Sequence, residues 1–256
     1  MELEWARLKA SELRALAERD AIVLLPVAAM EQHGPHLPVM VDSLLCAEVA
    51  LRAARRVADR QPVVVAPTVW SGLSEHHMPL GGTFTLDFAT FFALLACLCR
   101  SLVRHGFRRI FLLNGHGGNR FALRVVVDEL SGALGAALAT ATYWEPAAAQ
   151  IADILERQPG LQHACEAETS MVMALRPELV DAARLADARF DEPPHVITQR
   201  GAHVWRSFPE RTPTGATGDP TAASAAKGER LLDAAAATIA ELLLDDSCWV
   251  RRSPPS

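Results

Sequence analysis

Residues 22–38 read IVLLPVAAMEQHGPHLP: a β-branched, apolar run that breaks at once into an acidic, histidine-bearing loop. A run that apolar, with no polar alternation, suits a strand covered on both faces. Three more runs read the same way, at Val63–Ala66, Arg109–Leu113 and Ala136–Thr142. Segments with helical spacing separate them, at Asp42–Ala58, Asp87–His105 and Asn119–Leu130. Asp87 suits the positive end of a helix, and Asn119 after a Gly-Gly pair suits a cap. Later helices are expected at Ala147–Arg157, Glu168–Leu175 and Ala222–Leu244. Strand and helix in alternation imply an α/β fold, a single three-layer domain with a mainly parallel sheet and helices on both faces.

The chain has 256 residues, half of them apolar and 21% charged, with a formal net charge of −5. That length suits one large domain, or at most two small ones, and the composition excludes wholesale disorder. The expected boundaries are one domain over 1–245 and a fraying tail over 246–256, with the longest irregular stretch at Asp191–Pro220. A slightly acidic balance lacks the basic face of a nucleic-acid partner. The five cysteines are scattered and form neither a zinc-finger spacing nor a disulfide framework. The longest strongly apolar stretch, Phe88–Cys99, is too short to span a membrane, and the N-terminus has no signal-peptide core. The expected address is the cytoplasm.

Chemistry concentrates behind the strands. After the first come Glu31, His33 and His36, with Asp42 close behind. In extended chain Glu31 and His33 point the same way and can share one ligand. Carboxylate plus imidazole suits zinc, manganese or iron better than calcium. The bland alternative is a polar loop before a helix. After the second strand comes Gly72-Leu73-Ser74-Glu75-His76-His77, and after the third Asn114-Gly115-His116-Gly117-Gly118-Asn119. Glycines around His116 leave open backbone where α/β proteins place ligands. A phosphate cradle competes, although neither the Walker pattern nor GxGxxG is present. A last cluster, His163-Ala164-Cys165-Glu166-Ala167-Glu168-Thr169-Ser170, reads as a helix start or as a further carboxylate with a histidine acid.

Together EQHGPHLP with the following aspartate, SEH with a Gly-Thr, NGHGGN and HAxxxETS resemble the creatininase (creatinine amidohydrolase) family, from about Leu24 to Leu175 and weakly through Thr217-Gly218-Asp219-Pro220. The resemblance implies a hydrolase of C–N bonds other than peptide bonds, with two divalent metal ions per chain (zinc, manganese or iron). Its substrate would be a small cyclic or N-acyl amide, and the protein a homo-oligomer, often a hexamer. By motif, Glu31 and His116 would hold one metal, His33 the other, and Asp42 would bridge them. His163 matches the histidine that handles protons. His36, Glu75, His76, Gly117 and Gly118 would lie beside the substrate or orient the ligands.

One departure matters. Creatinine hydrolases carry a metal-binding glutamate where this chain has Gly118, which argues against creatinine as substrate. Glu166 is expected to supply the missing ligand, with Glu168 the second choice. Cys165 replaces the usual glycine of HAG. Two cations would generate hydroxide from water at neutral pH, and His163 would protonate the departing nitrogen. The alternatives are a deformylase- or peptidase-like member of the family, or a non-catalytic, metal-stabilised binding protein.

Overall fold

Four parallel strands form the centre, in the order β2-β1-β3-β4. They are β1 (Ile22–Val27), β2 (Val63–Val65), β3 (Arg109–Asn114) and β4 (Ala137–Thr142). The computed structural model describes residues 2–193, 198–199 and 202–249. The helices are α1 (Ala10–Glu18), α2 (Val41–Val57), α3 (Phe88–Arg104), α4 (Arg120–Leu134), α5 (Ala148–Ile154), α6 (Glu166–Leu175), the short α7 (Leu185–Ala188) and α8 (Phe208–Arg211), and α9 (Ala225–Leu244).

Alternation along the strands explains the three layers. Ile22, Leu24, Phe111 and Leu113 face a core shared with α2, α5, α6 and α9. Val23, Leu25, Ile110 and Leu112 face the opposite core, with α1, α3 and α4. Neighbouring side chains leave a strand on opposite faces, so both faces must be apolar and both are covered.

The strand runs and the major helices lie where the sequence places them, within a few residues. Asp87 caps α3 by accepting from Thr90 N at 2.7 Å, and Gly135, left-handed at φ 64°, ends α4. Four details differ. α1 was not expected, because its charges interrupt the apolar stripe. Asn119 does not cap α4: its amide spans Leu73 N (2.9 Å) and Ala28 O (3.1 Å), tying three loops together. α6 starts at Glu166, one half-turn earlier than expected. Finally, within the expected tail Asp246–Cys248 form a 3-10 turn, and the Trp249 indole donates to Leu243 O at 3.0 Å. Residues 250–256 lie outside the described residues.

The strand order places β1 between β2 and β3, so the chain runs to one side after β1 and to the other after β3. Ligand crevices of open α/β sheets form at such a switch point, outside the carboxyl ends of the strands. The loops carrying Glu31 and His116 leave β1 and β3 there.

Candidate active site

Backbone bonds stitch the loops into one floor. Phe84 N donates to Met30 O at 2.9 Å and Leu86 N to Gly72 O at 2.8 Å. Gln32 N donates to Thr83 Oγ1 at 3.2 Å. Asp42 enters from the first turn of α2, and Glu168 from the first turn of α6.

The result is a buried cluster of carboxylates and imidazoles. Asp42 Oδ1 lies 3.2 Å from His33 Nε2, and Asp42 Oδ2 lies 3.0 Å from His116 Nδ1. Glu31 Oε2 is 3.2 Å from His116 Nδ1, and Glu168 Oε2 is 3.8 Å from His33 Nε2. His163 Nδ1 stands 3.7 Å from Glu31 Oε1. Among the described residues, three sets bring ligand atoms within 4.8 Å of one another: Glu31, Asp42 and His116; His33, Asp42 and Glu168; Glu31, His33 and His163.

The outer hydrogen bonds set the tautomers. His33 Nδ1 donates to Glu31 O at 3.0 Å, His116 Nε2 to Leu73 O at 3.1 Å, and His163 Nε2 to Gln32 O at 2.8 Å. Each ring thus gives its N–H to a backbone carbonyl and turns its other nitrogen to the carboxylates. That is how metal-binding histidines are oriented. Glu31 Oε2, His33 Nε2 and Asp42 Oδ2 are buried without a hydrogen-bond partner. Buried polar atoms left unpaired are costly, and these converge on common points. The residues therefore fit divalent metal.

Electrostatics agree. Burial pushes the Glu31 carboxyl up, with Asp42 adding to the rise against the pull of His116. Burial also lifts Glu168, to about 8, against the pull of His33. Burial alone would raise Asp42, yet the imidazoles of His116 and His33 beside it hold it well below the usual carboxylate range. Burial opposes charge on His33, but Asp42 and the other carboxylates lift it to about 9. So much acid in a dry cluster demands positive charge, from protons or from metal.

Other expected residues fall outside this set. Glu166 is fully buried, but its carboxylate faces Lys227 and the backbone N–H groups of Glu156 and Arg157. It does not join His33 and Asp42, beside which Glu168 stands. Two residues apart on a helix means roughly 200° of rotation, so only one of the pair can face the cluster. Glu75 is exposed, and His76 is half-buried with its ring stacked 5.8 Å from His116. His36 is buried, its Nε2 2.8 Å from Thr169 Oγ1. Gly117 fronts open space. A Cβ on Gly118 would lie 2.3 Å from Leu73 O and 2.4 Å from His116 Nε2, so no glutamate fits at that position.

Sequence reasoning missed His77, Gln32 and Phe208. His77 is buried and sets Nε2 3.1 Å from Glu31 Oε1, while its Nδ1 accepts from Gln32 Nε2 at 2.9 Å. Burial, with the neighbouring imidazoles, keeps His77 neutral, so it donates a hydrogen bond to Glu31. The doubled histidine at 76–77 was the only sign, and it does not say which ring turns inward. Phe208 of α8 covers the imidazoles, its ring 4.0 Å from His77 and 4.7 Å from His163. This contact lies inside the stretch 191–220, whose composition carries no sign of it.

The family model described as creatinine amidohydrolase matches residues 6–243. The chain belongs to the creatininase family. It is 31% identical to the creatinine amidohydrolase of Pseudomonas putida, across 96% of this chain and 95% of that one. It is 33% identical to the mycofactocin precursor peptide peptidase of Mycolicibacterium smegmatis, across 86% and 83%. A solved creatininase in manganese form and a mutant creatininase of Zn-Zn type each match with TM-score 0.77 at 29% identity, covering 95% of this chain and 98% of theirs. Creatininase-family membership makes this chain a hydrolase of C–N amide bonds. Among the described residues no helix is long and apolar enough to cross a membrane.

Proposed function

We propose that this creatininase-family chain hydrolyses a small cyclic or N-acyl amide with two divalent ions. One would lie among Glu31, Asp42 and His116, the other among His33, Asp42 and Glu168. The observation that carries the reading is Asp42, whose two oxygens face different imidazoles while Glu31 Oε2, His33 Nε2 and Asp42 Oδ2 stay unpartnered. Zinc, manganese or iron suits these ligands. When bound, such ions polarise a carbonyl and lower the pKa of a water from about 15.7 toward 7.

The chain's own residues do the remainder. His77 donates to Glu31 Oε1 and holds that carboxylate with Oε2 turned inward. Burial, aided by His33, keeps His163 uncharged at rest. Its Nε2–H is committed to Gln32 O, so Nδ1 is the atom that takes a proton from the attacking water and hands it to the leaving nitrogen. Phe208 over the rings excludes bulk water.

The packing at Gly118 supports a substrate other than creatinine, because the second metal set draws its carboxylate from α6 and not from the loop after β3. Deformylase- and peptidase-like readings are outcomes of the same test. The native protein, with metal content measured, is offered creatinine, N-formyl amides, cyclic amides and short peptides. Two ions per chain and chelator-sensitive hydrolysis of a non-creatinine amide are expected. Bound metal with no hydrolysis across the panel would favour the metal-stabilised binding protein, and absence of metal would overturn the two-ion reading. The expected homo-oligomer is read from the native mass of the same preparation.

A further inference from the structure

Between α5 and α6 the chain makes an excursion over residues 155–165 that carries His163 near its end. One side chain closes its base. Glu166 Oε2 accepts from Arg157 N at 2.9 Å and Glu156 N at 3.1 Å, and Oε1 accepts from Lys227 Nζ at 2.6 Å. Lys227 also donates to Ala222 O at 2.6 Å and lies 2.8 Å from Glu156 Oε1. Three acceptors thus gather around one ammonium, a compact charge with three donors that differs from a planar guanidinium. The chain has 25 basic residues, and only Lys9 and Lys227 are lysines.

The chain just before Glu166 is tense. Ala164 is left-handed at φ 52°, a conformation that residues other than glycine rarely adopt. Its N–H donates to Glu168 Oε2 at 2.5 Å. His163 is gripped by Thr217 on both backbone groups, N to Oγ1 at 3.1 Å and O from Thr217 N at 2.8 Å. A strained turn keeps its shape only while its surroundings enforce it. Only Ala164 and Cys165 separate His163 from Glu166, so movement at the base reaches the imidazole directly.

α6 itself is docked by other means. Gly228 of α9 packs so closely that a Cβ there would lie 1.9 Å from Ser170 O, and Ser224 N donates to Ser170 Oγ at 3.1 Å. Loss of the Lys227–Glu166 pair therefore frees the excursion while leaving Glu168 in place.

We propose that Lys227 and Glu166 form a positioning pair that holds His163 in the cluster by closing the base of the 155–165 excursion. The inference rests on the proton-transfer role given above to His163. The test uses the full-length, zinc-loaded protein with Glu166→Gln and Lys227→Met combined, which removes both charges together. The double variant should keep both metals and a cooperative melt. Its kcat on an unactivated amide should fall about tenfold or more while KM stays within about twofold. Nitrogen-15 NMR of the histidines should show His163 losing its single Nε2–H form. Lys227→Arg, which keeps the charge, should show a smaller fall in kcat of the same kind. Unchanged kcat per metal-loaded molecule with unchanged His163 signals, in the double variant or in Lys227→Arg if the double variant does not fold, would overturn the proposal. If the wild type hydrolyses no amide, the proposed function fails, and the NMR signals alone decide whether the pair positions His163.

Discussion

Asp42 turns its two carboxylate oxygens to different imidazoles, Oδ1 to His33 at 3.2 Å and Oδ2 to His116 at 3.0 Å. No other side chain in the cluster belongs to both the Glu31–His116 set and the His33–Glu168 set. Asp42→Ala should therefore strip both sets at once and leave less than one metal per chain, with activity lost more completely than in Glu31→Ala or His33→Ala. Metal analysis of the three variants checks this, and two retained ions in Asp42→Ala would refute the bridge.

Glu168→Gln and Glu166→Gln should separate cleanly. Glu168 Oε2 faces His33 Nε2, whereas the Glu166 carboxylate is consumed by Lys227 and two backbone N–H groups. Glu168→Gln is expected to lose one metal, and Glu166→Gln to keep both while melting at a lower temperature. The reverse pattern of metal loss would return the second set to Glu166.

His163→Ala should keep both metals and lose roughly 10²–10⁴-fold in turnover, the range typical of a general acid or base. On a nitroanilide, whose leaving group needs little protonation, the loss should shrink. Loss of a metal would instead make His163 a ligand beside Glu31 and His33, a set its geometry also permits.

Burial, with His33 adding to it and Asp181 opposing, lowers the His36 pKa to about 4 in a site only 2% exposed. In the unfolded chain the group titrates near about 6.5. The folded value is depressed, so below about 6.5 the unfolded state binds the extra proton and stability falls until about pH 4. The full effect is about 3 kcal/mol at most. His36→Gln should flatten this part of the pH dependence of Tm between pH 7 and 4.5. Parallel curves for variant and wild type would show that His36 does not titrate on unfolding.

The layers of the fold were legible because their signal is local. A strand buried on both faces must be apolar throughout, and Ile22–Val27 appears at its expected bounds. The motif residues Glu31, His33, Asp42, His116 and His163 were legible for a related reason: each directly follows a strand, precedes a helix or sits in a glycine-rich turn. Asn119 was misread because an asparagine before a helix signals a cap, while here the backbone of two other loops competes for its amide.

The amino-acid sequence by itself determined the parallel α/β layering, the loops that carry chemistry and the residue types suited to metal. Tertiary structure decided which side chains meet. Whether Glu166 or Glu168 faces His33 depends on where α6 begins and how it is rotated against α9, and Glu168 enters the cluster because packing at Gly228 sets that rotation. His77 rather than His76 reaches Glu31 because Gln32 and Phe208, distant in the chain, close around it. Composition and spacing report what a residue can do. The partners it meets are set by contacts between segments tens of residues apart, and no local pattern encodes those.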